Sequence, residues 1–170
     1  MLVSSYRLFL DLDGVLANFD LGMYQITGSY PHQLKVNKLW QAAARADGFF
    51  EYLPWMPEGK KLWESTKKFN PTILTGLPRG QWAEPQKRSW CARELGSDVP
   101  VITCMAQEKI KFACSVLKPG EIPVLVDDRS KHKSVWEDKG GVFIVHQSVS
   151  ESLHQLSRLG FEITENLNGQ

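Results

Sequence analysis

Five short apolar runs punctuate the chain: Leu8–Leu12, Thr72–Leu74, Val99–Thr103, Val124–Val126 and Val142–Val145. Turn-formers bound them. Asn70-Pro71 precedes the second, Pro123 the fourth, and Gly140-Gly141 the fifth. Short, continuously apolar runs rich in β-branched residues predict strands buried on both faces. Between the runs, apolar residues recur among charges at helical spacing. Glu58–Phe69, Pro85–Leu95, Lys109–Leu117 and Ser148–Leu159 are the predicted helices, the last opening on a serine cap. Strands alternating with helices predict a Rossmann-like α/β fold, with a mostly parallel central sheet and helices on both faces.

One stretch breaks the alternation. Residues 18–57 are rich in aromatics, and within them Leu34–Ala46 alone reads as a helix. This segment is expected to be a small helical cap inserted after the first strand. Residues 1–17 and 58–170 then form the core. The polar tail after Phe161 is expected to fray.

Parallel sheets bind ligands beyond the carboxyl ends of their strands. Polar groups follow the apolar runs at just those ends. Asp11 and Asp13 close the first run, Thr75 and Gly76 the second, Asp127 and Asp128 the fourth. Two carboxylates two residues apart project to the same side of an extended chain. One can attack phosphorus, and the other can pass a proton to the leaving group, a contribution of ~10²–10⁴-fold. Crowded carboxylates also call for a hard cation, and an all-oxygen set suits magnesium. A calcium loop of the EF-hand kind is excluded, because Val15-Leu16-Ala17 follows where oxygen ligands are needed. Thr75 offers a hydroxyl and Gly76 a backbone amide to phosphate oxygens. A fixed positive charge is needed as well, and Lys87 and Lys109 are the leading candidates.

Composition narrows the field. The 170 residues carry a net charge of +1, which gives no electrostatic footprint for long nucleic acid or an anionic membrane. No apolar stretch is long enough to cross a bilayer, and the run before Phe9 is too short for a signal peptide. Cys91, Cys104 and Cys114 form neither a CxxC pair nor an even set, so they are expected to be buried fillers in a reducing, cytoplasmic setting. The four histidines are scattered and suggest neither a metal site nor a triad.

In this order, the Asp11-Leu12-Asp13-Gly14-Val15-Leu16 motif, Thr75, a lysine and the Asp127-Asp128 pair resemble the haloacid dehalogenase superfamily. The likeness runs from about Leu8 to Val145. It implies Asp11 as nucleophile and metal ligand. Asp13 would be general acid and base, with its backbone carbonyl on magnesium. Thr75 would hold the phosphoryl group, and Asp127 and Asp128 would complete the metal site, with the direct ligand of the two left open. Gly48–Pro54 with Pro57-Glu58-Gly59, Pro85–Cys91 and Val124–Arg129 further resemble the 5'(3')-deoxyribonucleotidase-like group. That alignment favours Lys87 as the motif lysine and leaves Lys109 as a second basic group on the substrate.

The activity so implied is magnesium-dependent hydrolysis of a small phosphomonoester, with a nucleoside monophosphate as one candidate. Phe19, Trp40, Phe49 and Phe50 would stack on its base, or else fill the cap's own core. The alternatives are a sugar phosphate or other small phosphorylated metabolite, and a non-catalytic phosphate-binding module. Gly76-Leu77-Pro78 after Thr75 departs from the nucleotidase-like pattern by one hydroxyl donor. Monomer and homodimer are both open.

Overall fold

The structure is a computed structural model that describes residues 5–163. Five strands form one parallel sheet: β1 (Ser5–Leu10), β2 (Thr72–Gly76), β3 (Val101–Cys104), β4 (Glu121–Asp127) and β5 (Val142–Val145). Their order is β3-β2-β1-β4-β5. The chain builds outward from β1 through β2 to β3, then crosses to the other side of β1 for β4 and β5. The order therefore reverses between β1 and β4, which is where such sheets open a crevice for ligands.

Both faces of the sheet are covered, which explains the unbroken apolar runs. Leu8, Leu10, Ile73, Val124, Val126 and Ile144 share one core with side chains of α3 (Gly59–Thr66), α4 (Ala83–Glu94) and α7 (Val149–Arg158). Phe9, Leu74, Leu125 and Phe143 belong to a second core with α5 (Lys109–Ser115) and α6 (Lys133–Glu137). Neighbouring strand residues alternate between the two, as the two-residue period of a strand requires. Trp90 and Trp136, both almost fully buried, satisfy their indole N–H groups on the carbonyls of Leu53 and Pro123.

The segment after β1 holds two helices, α1 (Phe19–Thr27) and α2 (Val36–Arg45). It leaves and rejoins the rest of the chain at one place. Ala17 bridges Trp55, the Asn18 amide donates to Pro54 O at 2.7 Å, and the Met56 amide donates to Leu16 O at 2.7 Å. Its aromatics join the first core. α4 holds the returning segment through Gln86, whose Oε1 accepts from the Phe50 amide at 2.9 Å.

Several expectations need correction. β1 begins at Ser5 and ends at Leu10, so Leu12 lies in the following turn. Its carbonyl accepts from the amides of Leu16 and Ala17, and its side chain is buried as a plug. Helix α1 was not among the predicted elements. Gly22, Tyr24, Ile26 and Thr27 give it poor intrinsic propensity, but Asn18 caps its start and Gly28, in the left-handed region, ends it. Helix α6 was also unforeseen, being too short to show a period. Cys114 is exposed, not a core filler, while Cys91 and Cys104 are buried. The frayed tail expected after Phe161 lies, from residue 164 on, outside the described residues, as do residues 1–4.

Candidate active site

Asp11 follows β1, Thr75 sits near the end of β2, and Asp127 is the last residue of β4. Parallel pairing brings these three ends to one rim of the sheet. Asp11 and Asp127 flank the point where strand order reverses, and the Asp11 amide donates to Val126 O at 2.9 Å. α4 and α5, which follow β2 and β3, bring Lys87 and Lys109 to the same rim.

Two ammonium–carboxylate groups organise the site. Lys109 Nζ lies 2.9 Å from Asp11 Oδ1 and 2.7 Å from Asp127 Oδ2, with all three side chains buried. Lys87 pairs with Asp13 Oδ2 and donates to Thr75 Oγ1 at 3.0 Å and to Gly76 O at 2.8 Å. It also rests 4.4 Å from the centroid of the Phe50 ring. Both predicted lysines are therefore present. The sequence favoured Lys87 as the motif lysine, but the ammonium that touches the Asp11 carboxylate is Lys109. Lys87 instead fixes Asp13 and Thr75.

The acids are crowded. Oxygens of Asp11, Asp127 and Asp128 all lie within 4.8 Å of one another. Gly14, at φ +79°, lets Asp128 approach: a methyl group built there would overlap the Asp128 carboxylate. The Arg129 amide donates to Asp127 Oδ1 at 2.8 Å. Asp13 Oδ1 is buried without a hydrogen-bond partner among the described residues.

The electrostatics follow from this crowding. Burial pushes the Asp13 carboxyl up, against the pull of Lys87. Asp127 is also raised, by burial and then by the neighbouring Asp11 charge. Asp128 has an exposed edge, yet its carboxyl faces the site. Desolvation first, then the charges of Asp11 and Asp127, push it up to about 7. Burial opposes the Lys109 ammonium, but the Asp11 and Asp127 carboxylates outweigh it, so its pKa lies above the ordinary lysine value. The cluster thus carries more negative charge than two ammoniums neutralise. All its donors are hard oxygens, and one buried oxygen is unused. The residues present fit a divalent cation of the magnesium type.

The rim opens into a cavity of about 560 Å³. Asp11, Asp13, Lys87, Lys109, Asp127 and Asp128 all line it, as does Gly76. Of the four aromatics predicted to stack on a base, Phe19, Trp40 and Phe50 line the cavity. Phe49 does not. It is buried edge-on against Phe19 and Phe50, with ring centroids 5.4 and 5.0 Å away, and so belongs to the first core. Arg129, Lys131 and His132, between β4 and α6, also line the cavity. None of the three is among the residues expected from the sequence to form the site. The signal was their position directly after the second acidic pair.

The architecture is a doubly wound α/β fold built on a parallel five-stranded sheet. The chain is similar to the solved structure of L-2-haloacid dehalogenase from Xanthobacter autotrophicus, with a TM-score of 0.58 and 13% identity, over 92% of this chain and 83% of that one. It is likewise similar to the structure of that enzyme with chloropropionic acid covalently bound, at a TM-score of 0.58 and 12% identity, over 95% and 85% of the two chains. No protein-family model matches the chain, and no curated protein matches it in sequence. The shared property is the fold. Among the described residues no helix is long and apolar enough to cross a membrane.

Proposed function

We propose that the chain is a magnesium-dependent hydrolase of small phosphomonoesters that works through an aspartyl-phosphate on Asp11. The observation that carries this reading is the meeting of Asp11, Asp127 and Asp128 oxygens within 4.8 Å, beside a buried Lys109. Asp11, Asp127, Asp128 and the backbone carbonyl of Asp13 would hold the metal, which supplies positive charge to the transferring phosphoryl group.

The chain's own residues supply the rest. An Asp11 carboxylate oxygen attacks phosphorus, and the bond to the leaving oxygen breaks. Asp13, held by Lys87 and raised by burial, carries a proton for that oxygen on its otherwise unpartnered Oδ1. Water then attacks the aspartyl-phosphate, Asp13 takes its proton, and inorganic phosphate leaves Asp11 free. The Lys109 ammonium faces the phosphoryl group throughout, while Thr75, fully buried and off the cavity wall, acts through its hydrogen bond from Lys87. In this reading residues 18–57 are a cap, and Phe19, Trp40 and Phe50 give the cavity an apolar side suited to a flat base such as that of a nucleoside monophosphate.

The fold neighbours support a second reading, displacement of halide from a 2-haloacid by Asp11. Halide leaves as a stable anion and needs no proton, so Asp13 would have no acid role in the first step and would serve only as base in hydrolysis of the Asp11 ester. Three crowded acids would also repel a haloacid carboxylate. The first reading is therefore preferred. Phosphate release from a panel of nucleotides and sugar phosphates, with magnesium, is expected in the wild type and absent in Asp11→Asn. Equal rates in both would reject it. Halide release from 2-chloropropionate with no phosphatase activity would establish the dehalogenase instead.

A further inference from the structure

We infer that the substrate of this site carries a second anionic group, a phosphate or a carboxylate, held by Arg129 and Lys131 with His132 beside them. This rests on the phosphomonoesterase reading and names its substrate class.

Charge accounting in the cavity leads there. Lys87 and Lys109 are already committed to Asp13, Asp11 and Asp127, all within 3 Å. Arg129 and Lys131 line the same cavity, and neither has a carboxylate within 4.0 Å among the described residues, whereas eight other lysines and arginines have one, Lys87 and Lys109 among them. Arg129 is near enough to Asp128 to lower its pKa, but only as a minor influence beside burial and the other acids. Arg129 and Lys131, both exposed, are therefore cations on the cavity wall that are not paired with a carboxylate among the described residues.

Position adds to this. The Arg129 backbone is tied to Asp127 by its amide, so the side chain starts from a fixed point next to the acid cluster. The segment that carries these residues is continuous with the metal-site acids and runs into α6, where Val135 also lines the cavity. A volume of about 560 Å³ is far more than one phosphoryl group fills. A guanidinium fork and an ammonium suit a phosphate or carboxylate, the fork giving paired hydrogen bonds and the ammonium a point charge. A substrate with one anion would leave both cations solvated. One with two would use the whole cavity.

Binding of unreactive probes tests this apart from turnover. Propylphosphonate, 3-phosphonopropionate and propane-1,3-bisphosphonate share one phosphonate and differ in the second anion. Titration calorimetry with magnesium-loaded wild type is expected to give at least a tenfold tighter Kd for one or both of the doubly anionic probes than for propylphosphonate. Whichever is tighter names the second group. In R129Q/K131Q that ratio is expected to fall towards one, and in R129K/K131R to return. Circular dichroism checks that both variants fold. Equal affinity for all three probes in the wild type would overturn the inference, as would a preference that survives R129Q/K131Q. If the wild type shows the preference but hydrolyses no phosphomonoester, the catalytic reading fails and the two-anion site stands.

Discussion

Gly14 and Asp128 occupy space that only a glycine permits them to share. A methyl group at Gly14 would overlap the Asp128 carboxylate, and φ there is +79°, a region that disfavours any side chain. Gly14→Ala is expected to cost about 1–2 kcal/mol of stability from backbone strain. It should also displace Asp128 and weaken magnesium binding. Thermal shift on adding magnesium is the measurement. A wild-type gain in Tm that is largely lost in Gly14→Ala, and likewise in Asp128→Asn, is the expected pattern. A full gain in both variants would remove Asp128 from the metal site.

Asp13 and Lys87 make a separable prediction. If Asp13 protonates the leaving oxygen, its loss should matter most where that oxygen is basic. Asp13→Asn is expected to slow alkyl phosphate hydrolysis by ~10²–10⁴-fold. With p-nitrophenyl phosphate the leaving group needs little help, so the first step survives and the second, which needs a base, stalls. Stopped-flow absorbance should show a burst of nitrophenolate near one equivalent, followed by slow turnover. Equal slowing for both esters with no burst would argue against the acid role.

Lys109 is buried between Asp11 and Asp127, and removing it strands both. Lys109→Met is expected to destabilise the metal-free protein by about 3–5 kcal/mol, the usual cost of breaking a buried ion pair from one side. Urea unfolding measures it. Magnesium should restore part of that loss, because it supplies the missing positive charge. Turnover should still fall by ~10²–10³-fold, since a preorganised donor to the phosphoryl group is gone. An unchanged unfolding midpoint would mean that Lys109 stabilises nothing.

Much of this site could be read from the chain because strand ends are short-range signals. Asp11, Thr75 and Asp127 each follow an apolar run, and parallel pairing does the rest. What was hidden depended on tertiary context. Lys87 and Lys109 each stand near a helix start, and only side-chain reach shows that Lys109 meets Asp11 while Lys87 meets Asp13. Phe49 and Phe50 are adjacent in sequence and both join the core, but only Phe50 also lines the cavity. Helix α1 escaped notice because its signals are its ends, Asn18 and Gly28, and not its composition. Arg129 and Lys131 belong to no spaced motif, and only the folded chain brings them to the cavity wall.

His146 offers a test of the scaffold away from the chemistry. Its amide extends the ladder to Asp127 O at 2.9 Å, and its Nδ1 lies 2.7 Å from Oγ of the fully buried Ser152 on α7. Desolvation holds its pKa below the ordinary histidine value. The unfolded chain therefore takes up a proton near pH 6.5 that the folded protein resists. Stability tied to neutral His146 is complete above that pH. It is lost as pH falls from 6.5 towards the lower folded pKa, at a slope of at most about 1.4 kcal/mol per unit. His146→Asn keeps a group able to reach Ser152 and removes the titration. Urea midpoints between pH 7.5 and 5.5 should fall less steeply in this variant than in the wild type. Parallel curves would place the acid sensitivity of the fold elsewhere.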